Sequence, residues 1–406
     1  MEDLRKKIFF TLAMLLVFRI GAHVPVPGID IAMLGKMLNS AIFGFVDVIS
    51  GGAFKQFTVF AMGIVPYINA SIIINLLTMV VPYFERKEGA DGRKKMMQFT
   101  RYGAVGLGFL QALGMTFYLR KTMIDPSLIN ILVIALTLTA GTAFLMWLGE
   151  LITEKGIGNG ISLIIFAGIV SRLPAGVVTV YQYVKSGESN IITVSLFLVM
   201  ALLVIAGVVA IQEGQRRIPV QYAKRVVGRK MYGGQSTHIP MKINQAGVIP
   251  IIFAMAILMF PTTIAGFFAA TNSFAAWIVK VFSFQHPVYM LSYGLLIFVF
   301  TYFYTAVTFN TSDVADNLKK NGGFIPGLRP GRPTAEYLDR VLSRITFAGA
   351  GFLTFIALLP SIAMGITGLN LYFGGTSLLI AVGVALDTMK QIESQLLMRH
   401  YQGFMK

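Results

Sequence analysis

Ten stretches of this sequence are apolar for about the length a helix needs to cross a bilayer, roughly 20 residues. They lie near 8–24, 57–81, 102–119, 128–149, 161–184, 190–211, 245–268, 287–309, 343–364 and 370–389. Inside hydrocarbon no water satisfies a backbone N–H or C=O, so only helices and closed barrels can cross. The apolar residues come in runs rather than in alternation, which argues against a transmembrane barrel. Ten such helices would use most of the 55% of the chain that is apolar. The charged share is 13%, about half the ~25% of soluble proteins. An ordinary cytosolic enzyme and a disordered chain are both excluded. The expected fold is an all-α polytopic membrane protein with ten transmembrane helices. The first stretch is not read as a cleavable signal, because nine more follow and no small-residue cleavage site precedes a soluble domain.

Orientation follows from the basic residues. Of the 34 lysines and arginines, 26 lie in segments that face the cytoplasm if the N-terminus is inside, 7 lie outside, and Arg19 lies within the first span. Cytoplasmic loops collect Lys and Arg, so both termini are expected to be cytoplasmic. Three inner segments are long and basic: 82–101, 212–244 and 310–342. The net charge of +16 leaves them able to bind RNA, lipid headgroups or an acidic protein face. The chain has no cysteine, which excludes disulfides, thiolate zinc sites and cysteine nucleophiles. His23, His238, His286 and His400 are far apart, and no metal site or cofactor is expected.

The ten spans divide into five plus five, and an odd number per half makes the halves inverted relative to each other. The expected division is 1–185, spans 1–5, and 186–406, spans 6–10 with both long basic loops. Span 2 carries Gly63-Ile64-Val65-Pro66-Tyr67-Ile68, and span 7 carries Gly247-Val248-Ile249-Pro250-Ile251-Ile252. Span 5 carries Gly160-Ile161-Ser162-Leu163-Ile164-Ile165, and span 10 carries Gly375-Thr376-Ser377-Leu378-Leu379-Ile380. In all four an isoleucine follows the glycine by five residues: Ile68, Ile252, Ile165 and Ile380. An inverted repeat places a substrate path near midplane, where such interrupted segments meet.

Residues 25–56 lie on the outer side, are broken by Pro25, Pro27, Gly28, Gly44, Gly51 and Gly52, and yet carry Ile42, Phe43, Phe45, Val46, Val48 and Ile49. An apolar outer loop must fold back into protein. Asn69, Gln111 and Asn244 are amides on spans 2, 3 and 7, and burial should bring them to one another. Arg19 either snorkels to the outer face or pairs with the outer segment. Two function classes fit ten inverted spans: a passive channel, and a secondary transporter for a small solute. Transporters usually carry midspan Asp, Glu or His, and here Asp387, near the inner end of span 10, is the nearest case. No span offers a Ser–His pair, a carboxylate pair or a metal cluster, so an enzyme is not expected.

The chain resembles the SecY family, the central subunit of the protein-conducting channel, in its bacterial form. The stretches that carry the resemblance run through the whole chain. They are Gly63 to Ile74, Glu154-Lys155-Gly156-Ile157-Gly158-Asn159-Gly160-Ile161-Ser162, Gly214-Gln215-Arg216-Arg217-Ile218-Pro219, Gln235-Ser236-Thr237-His238-Ile239-Pro240, Pro326-Gly327-Leu328-Arg329-Pro330-Gly331 and Phe373-Gly374-Gly375-Thr376-Ser377. The resemblance implies ten helices in two inverted halves around a central pore, in the bacterial cytoplasmic membrane. It implies that unfolded secretory polypeptides pass through, and that membrane segments leave for lipid through a lateral gate. Ile64, Ile68, Ile165, Ile252 and Ile380 match the pore ring, where branched apolar side chains dewet a constriction. Residues 41–55, with Ile42, Phe43, Gly44, Phe45, Gly51 and Gly52, match the plug. Asn69, Gln111 and Asn244 match the polar cluster of the lateral gate. Arg216, Arg217, Lys224, Arg225, Arg229, Lys230 and Arg329 match the surface that docks the motor ATPase SecA or the ribosome, through rRNA contacts of the basic loops. The implied partners are SecE, SecG, SecA, the ribosome, secretory chains with their signal sequences, and membrane lipids. Both ends are expected to be short for the family, which usually has a further amphipathic start and a longer basic tail.

Overall fold

The computed structural model describes residues 2–30, 47, 50–80, 90–187, 190–222, 225–227, 230–232, 236–268, 272–283, 286–367 and 375–403. Ile42, Phe43, Gly44 and Phe45 of the expected plug, and Lys224 and Arg229 of the expected docking loop, lie outside these residues.

Each of the ten apolar stretches carries a helix. In chain order these are α1 (Glu2–Gly21), α2 (Val65–Val80), α3 (Ala90–Tyr118), α4 (Leu128–Lys155), α5 (Gly160–Lys185), α6 (Ile191–Glu213), α7 (Ile249–Phe268), α9 (Pro287–Thr308), α11 (Arg332–Thr367) and α12 (Gly375–Gly403). Two further helices are short, α8 (Ser273–Val281) and α10 (Thr311–Lys320). Among the described residues, five helical stretches are long and apolar enough to cross a membrane by length and composition, and α2 and α7 hold shorter apolar segments. Large apolar side chains stay exposed along their outer walls, such as Leu196, Leu202 and Leu203 on α6. A helix hydrophobic all round belongs in lipid or a buried core, and α6 is mostly unburied.

Helix pairing repeats between the two parts of the chain. In the first, α1 packs on α4 and α5, α2 on α3, α3 on α4, and α4 on α5. Five spans later α6 packs on α11 and α12, α7 on α9, α9 on α11, and α11 on α12. The two parts meet where α2 and α3 touch α7, and where α5 touches α12. One apolar cluster runs through both parts, from Phe18, Ile64 and Ile165 to Ile251, Ile297 and Ile380.

Several boundaries differ from the sequence expectation. Hydropathy starts span 2 at residue 57, but its helix begins at Val65. Thr58 instead bridges Pro25, and residues 58–63 turn tightly, with Ala61 N–H donating to Thr58 O and Gly63 N–H to Phe60 O. Span 3 was placed from 102 and span 9 from 343, but α3 begins at Ala90 and α11 at Arg332. Hydropathy marks where lipid is met, while a helix can continue into water on its own backbone hydrogen bonds.

The loop 212–244 holds strands rather than irregular chain. β1 (Gln215–Tyr222) pairs antiparallel with β4 (Ser236–Lys242), from Gln215 opposite Lys242 to Gln221 opposite Ser236. β2 (Arg225–Val227) pairs with β3 (Lys230–Tyr232), and β5 (Gly323–Phe324) adds to the free edge of β1. Ile218 and Val220 alternate inward while Arg216 and Arg217 stay exposed. Ile218, Val220 and Met241 share a small core with Leu318, Ile325, Leu338 and Leu342. The two basic loops therefore form one packed unit beside the end of α9 and the start of α11.

Candidate functional site

The four repeat motifs begin the helices they sit in. Gly160 and Gly375 are the first residues of α5 and α12, and Gly63 and Gly247 stand two residues before α2 and α7. Gly63 and Gly247 share a left-handed backbone, φ +57° and +63°. A Cβ at Gly247 would meet nothing within 4 Å, so the glycine serves the backbone turn and not a lack of room. Because the four motifs share this placement, their isoleucines fall in the first two turns of four helices. Ile68, Ile165, Ile252 and Ile380 line one cavity of about 20 Å³. Two of them come from each part of the chain. Val65, Met255, Ala256 and Met259 complete the wall.

The physics of this wall is simple. A water needs about 10–15 Å³ and two to four polar partners. The cavity offers room for one, and no lining side chain carries nitrogen or oxygen. Such a lining is of the dewetting kind. Ile64, one turn before Ile68, is 2% exposed and packs in the main cluster rather than on this cavity. Met255 and Met259 were missed by the sequence reading. Their spacing from Ile252, three and seven residues along α7, is the helical one-face signal that could have found them. Methionine's flexible thioether adapts to varied apolar shapes.

Inside the constriction lies a polar vestibule of about 600 Å³, lined by Ser162, Gln212, Asn244, Gln245, Lys242 and Asp387 among others. Among the described residues, the buried atoms Gln212 Nε2, Asn244 Oδ1 and Gln245 Oε1 have no hydrogen-bond partner. Lys390 pairs with Glu213 at 2.8 Å on the rim. The Gly156–Gly160 run is a packed turn: Asn159 Oδ1 accepts from Ile161 and Ser162 N–H, Thr11 Oγ1 accepts from Ile157 N–H, and Gln391 Oε1 accepts from Gly158 N–H.

Outside the constriction lies the end of the expected plug segment. Asp47 makes a buried ion pair with Arg172 of α5, and Lys55 N–H donates to Asp47 Oδ1 at 2.8 Å. Arg19 Nη1 donates to Gly51 O at 3.0 Å. Gly51 and Gly52 take φ +67° and +95°, and a Cβ on Gly52 would stand 3.1 Å from the Arg172 guanidinium carbon. Of the two alternatives for Arg19, it is the pairing with the outer segment that the structure contains. Helix α5 reads out the whole axis. Ser162 faces the vestibule, Ile165 the constriction, and Arg172 the outer seat. At 1.5 Å per residue these levels lie about 4.5 and 10 Å apart.

Among the described residues no hydrogen bond joins Asn69, Gln111 and Asn244 to one another. Asn244 precedes α7, donates from Nδ2 to Gly247 O at 3.0 Å within its own turn, and lines the vestibule. Asn69 is buried on α2 and Gln111 half-buried on α3, the two helices that α7 touches. On the inner unit, Arg216 and Arg217 are exposed on β1, while Arg225 and Lys230 lie in β2 and β3. Arg329 is exposed on a turn fixed by Leu328 N–H to Ile325 O and by Thr334 Oγ1 donating to Arg329 O at 2.8 Å.

Comparison with known proteins agrees with this geometry. The SecY family model matches residues 58–389. The chain is 52% identical over 418 residues to the protein translocase subunit SecY of Halalkalibacterium halodurans, covering 100% of this chain and 97% of that protein. Its fold is similar to that of a protein-conducting channel, with TM-score 0.69, 18% identity and coverage of 96% and 91% of the two chains. It is similar also to Sec61 in the canine ribosome-channel complex from the endoplasmic reticulum, with TM-score 0.67, 16% identity and coverage of 96% and 91%. With the family model spanning most of its length and a full-length relative sharing half its residues, this chain belongs to the SecY family.

Proposed function

We propose that the chain is the pore-forming subunit of a protein-conducting channel, and that polypeptides cross it unfolded through the isoleucine constriction. One observation carries this reading: isoleucines from both parts of the chain close an apolar waist between a polar vestibule and a packed outer seat. An extended chain can pass such a waist because branched carbon seals around any side chain and binds none. The secondary-transporter reading is disfavoured by the same wall, since a solute site needs polar ligands and this lining has none. The matched helix pairings support division into inverted halves, 1–185 and 186–406. The seam of α7 against α2 and α3 is the place for a lateral gate, where an apolar segment could leave for lipid.

The finer assignments follow from the family and from charge. Segment 41–55 acts as the plug, held by Arg172 through its Asp47 and by Arg19 through its Gly51 carbonyl. The inner β unit, with Arg216, Arg217 and Arg329 exposed, docks the SecA motor or the ribosome, because guanidinium groups bind carboxylates and phosphates alike. SecE and SecG complete the channel in the bacterial cytoplasmic membrane, with both termini of this chain inside. The test is site-specific crosslinking of a stalled secretory chain from positions 68 and 252. Adducts at both positions are expected. Uniform absence of adducts would return the transporter reading.

A further inference from the structure

Helix α8 links the outer ends of α7 and α9. Helix α7 runs outward, since Ile249 lines the vestibule, Ile252 the constriction and Met259 the far side of that cavity. Asn272 N–H donates to Phe268 O, closing the last turn of α7, and Asn272 Oδ1 accepts from Phe274 N–H at 2.9 Å, opening α8. The inward side of α8 is settled: Ala275 is buried, Ile278 and Val279 are half-buried, and Phe282 just beyond packs on the main apolar cluster. The outward side is aromatic. Phe274 and Trp277 are 65% and 57% exposed and stack with ring centroids 5.9 Å apart, beside exposed Lys280.

This face continues an existing surface. Phe260, Ile264 and Phe268 form an exposed stripe at four-residue spacing along α7. Four-residue steps stay on one face of a helix, so the stripe is the wall that α7 turns to lipid. It ends where α8 begins, and the next exposed apolar residues are Phe274 and Trp277. Tryptophan concentrates at membrane–water interfaces, where its ring body is apolar and its N–H remains wet. Lysine beside it can reach lipid phosphates with its ammonium while its stem stays in apolar surroundings.

We propose that the outward face of α8 is a lipid-interface anchor, with Phe274 and Trp277 seated at the headgroup boundary of the outer leaflet and Lys280 beside lipid phosphate. The helix lies in the membrane plane and ties the outer end of α7, the helix whose first turn carries Ile252, to the bilayer surface. This rests on the reading of the chain as membrane-spanning, and is independent of what crosses the pore.

Trp147 and Trp277 are the two tryptophans of the chain. The Trp147→Phe variant of the full chain, in vesicles of phosphatidylcholine and phosphatidylglycerol, reports Trp277 alone. Bromine is carried on the acyl chains either near the headgroup or near the chain end. Shallow bromine is expected to quench Trp277 roughly two-fold more than deep bromine, with little quenching by aqueous iodide. Stronger quenching by deep bromine, by iodide alone, or by none of the three would overturn the anchor. The companion Trp277→Phe variant leaves Trp147, half-exposed on α4. Bromolipid quenching of Trp147 with none at Trp277 overturns the anchor alone. Absence at both overturns the membrane-spanning reading with it.

Discussion

Removing the Arg172 guanidinium tests the outer seat of the channel. The Asp47 side chain is 3% exposed, and its partner Arg172 keeps 23% of its side chain exposed. Deleting one member of a buried ion pair costs about 3–5 kcal/mol, because the other charge is left uncompensated. Two features lower that figure here. Arg172 is partly solvated, and Asp47 Oδ1 keeps the Lys55 N–H. Arg172→Gln should therefore weaken the seat by about 2–3 kcal/mol. At 1.4 kcal/mol per factor of ten, that is roughly a 30- to 140-fold shift in the balance between seated and displaced segment. Arg19 cannot easily substitute, since it is engaged with the Gly51 carbonyl. The assay is resting conductance of the purified channel in planar bilayers, and a rise of at least about ten-fold is expected. Adding Asp47→Asn removes the stranded charge, so the double variant should leak less than Arg172→Gln alone. Parental conductance in Arg172→Gln, or strictly additive effects in the double variant, would refute the reasoning.

Three further perturbations follow from the same geometry. Ile68→Ser with Ile252→Ser puts hydroxyls onto the wall of a cavity that has no polar side chain, so resting ion leak should rise; leak equal to the parent's would remove these residues from the seal. Gly247→Ala meets no neighbour, so its cost is the left-handed backbone alone, about 1–2 kcal/mol, and should appear as a lowered unfolding midpoint with Gly247→Asn milder. An unchanged midpoint for Gly247→Ala would show that the turn carries no strain. Arg329→Glu reverses an exposed charge on a fixed turn, so expression should hold while motor-driven transport in vesicles falls at least about ten-fold; near-parental transport would leave Arg329 as a charge that only sets topology.

The inner face shows how much of a surface can be hidden from a linear reading. Arg216 and Arg329 stand more than a hundred residues apart in the chain. Pairing of β1 with β5 and the shared core of Ile218, Leu318 and Leu338 put them on one unit. Short strands inside a basic loop give weak period-two signals, and nothing in the sequence names their partners. The partner of Asp47 was hidden for a similar reason. Arg172 reads as one more outer charge, and only packing of α5 against Asp47 shows that its charge is held inside protein.

What the sequence determined by itself is what local chemistry decides. Runs of apolar residues must be helices where water is absent, and all ten runs contain one. Gly63 and Gly247 mark helix starts because a left-handed turn favours glycine, while Gly160 begins its helix where a Cβ would run into Gly149 O. Their fixed spacing to Ile68, Ile165, Ile252 and Ile380 was likewise visible. Distances between segments, by contrast, come from packing alone. Packing put those four isoleucines on one cavity with Met255 and Met259, kept Ile64 off it, and joined Asp47 to Arg172. It also turned Asn244 onto Gly247 instead of across the seam. Apolar attraction has no direction and can bury an isoleucine against many neighbours. Which neighbours it meets depends on how ten helices cross, and that is settled only when all of them pack.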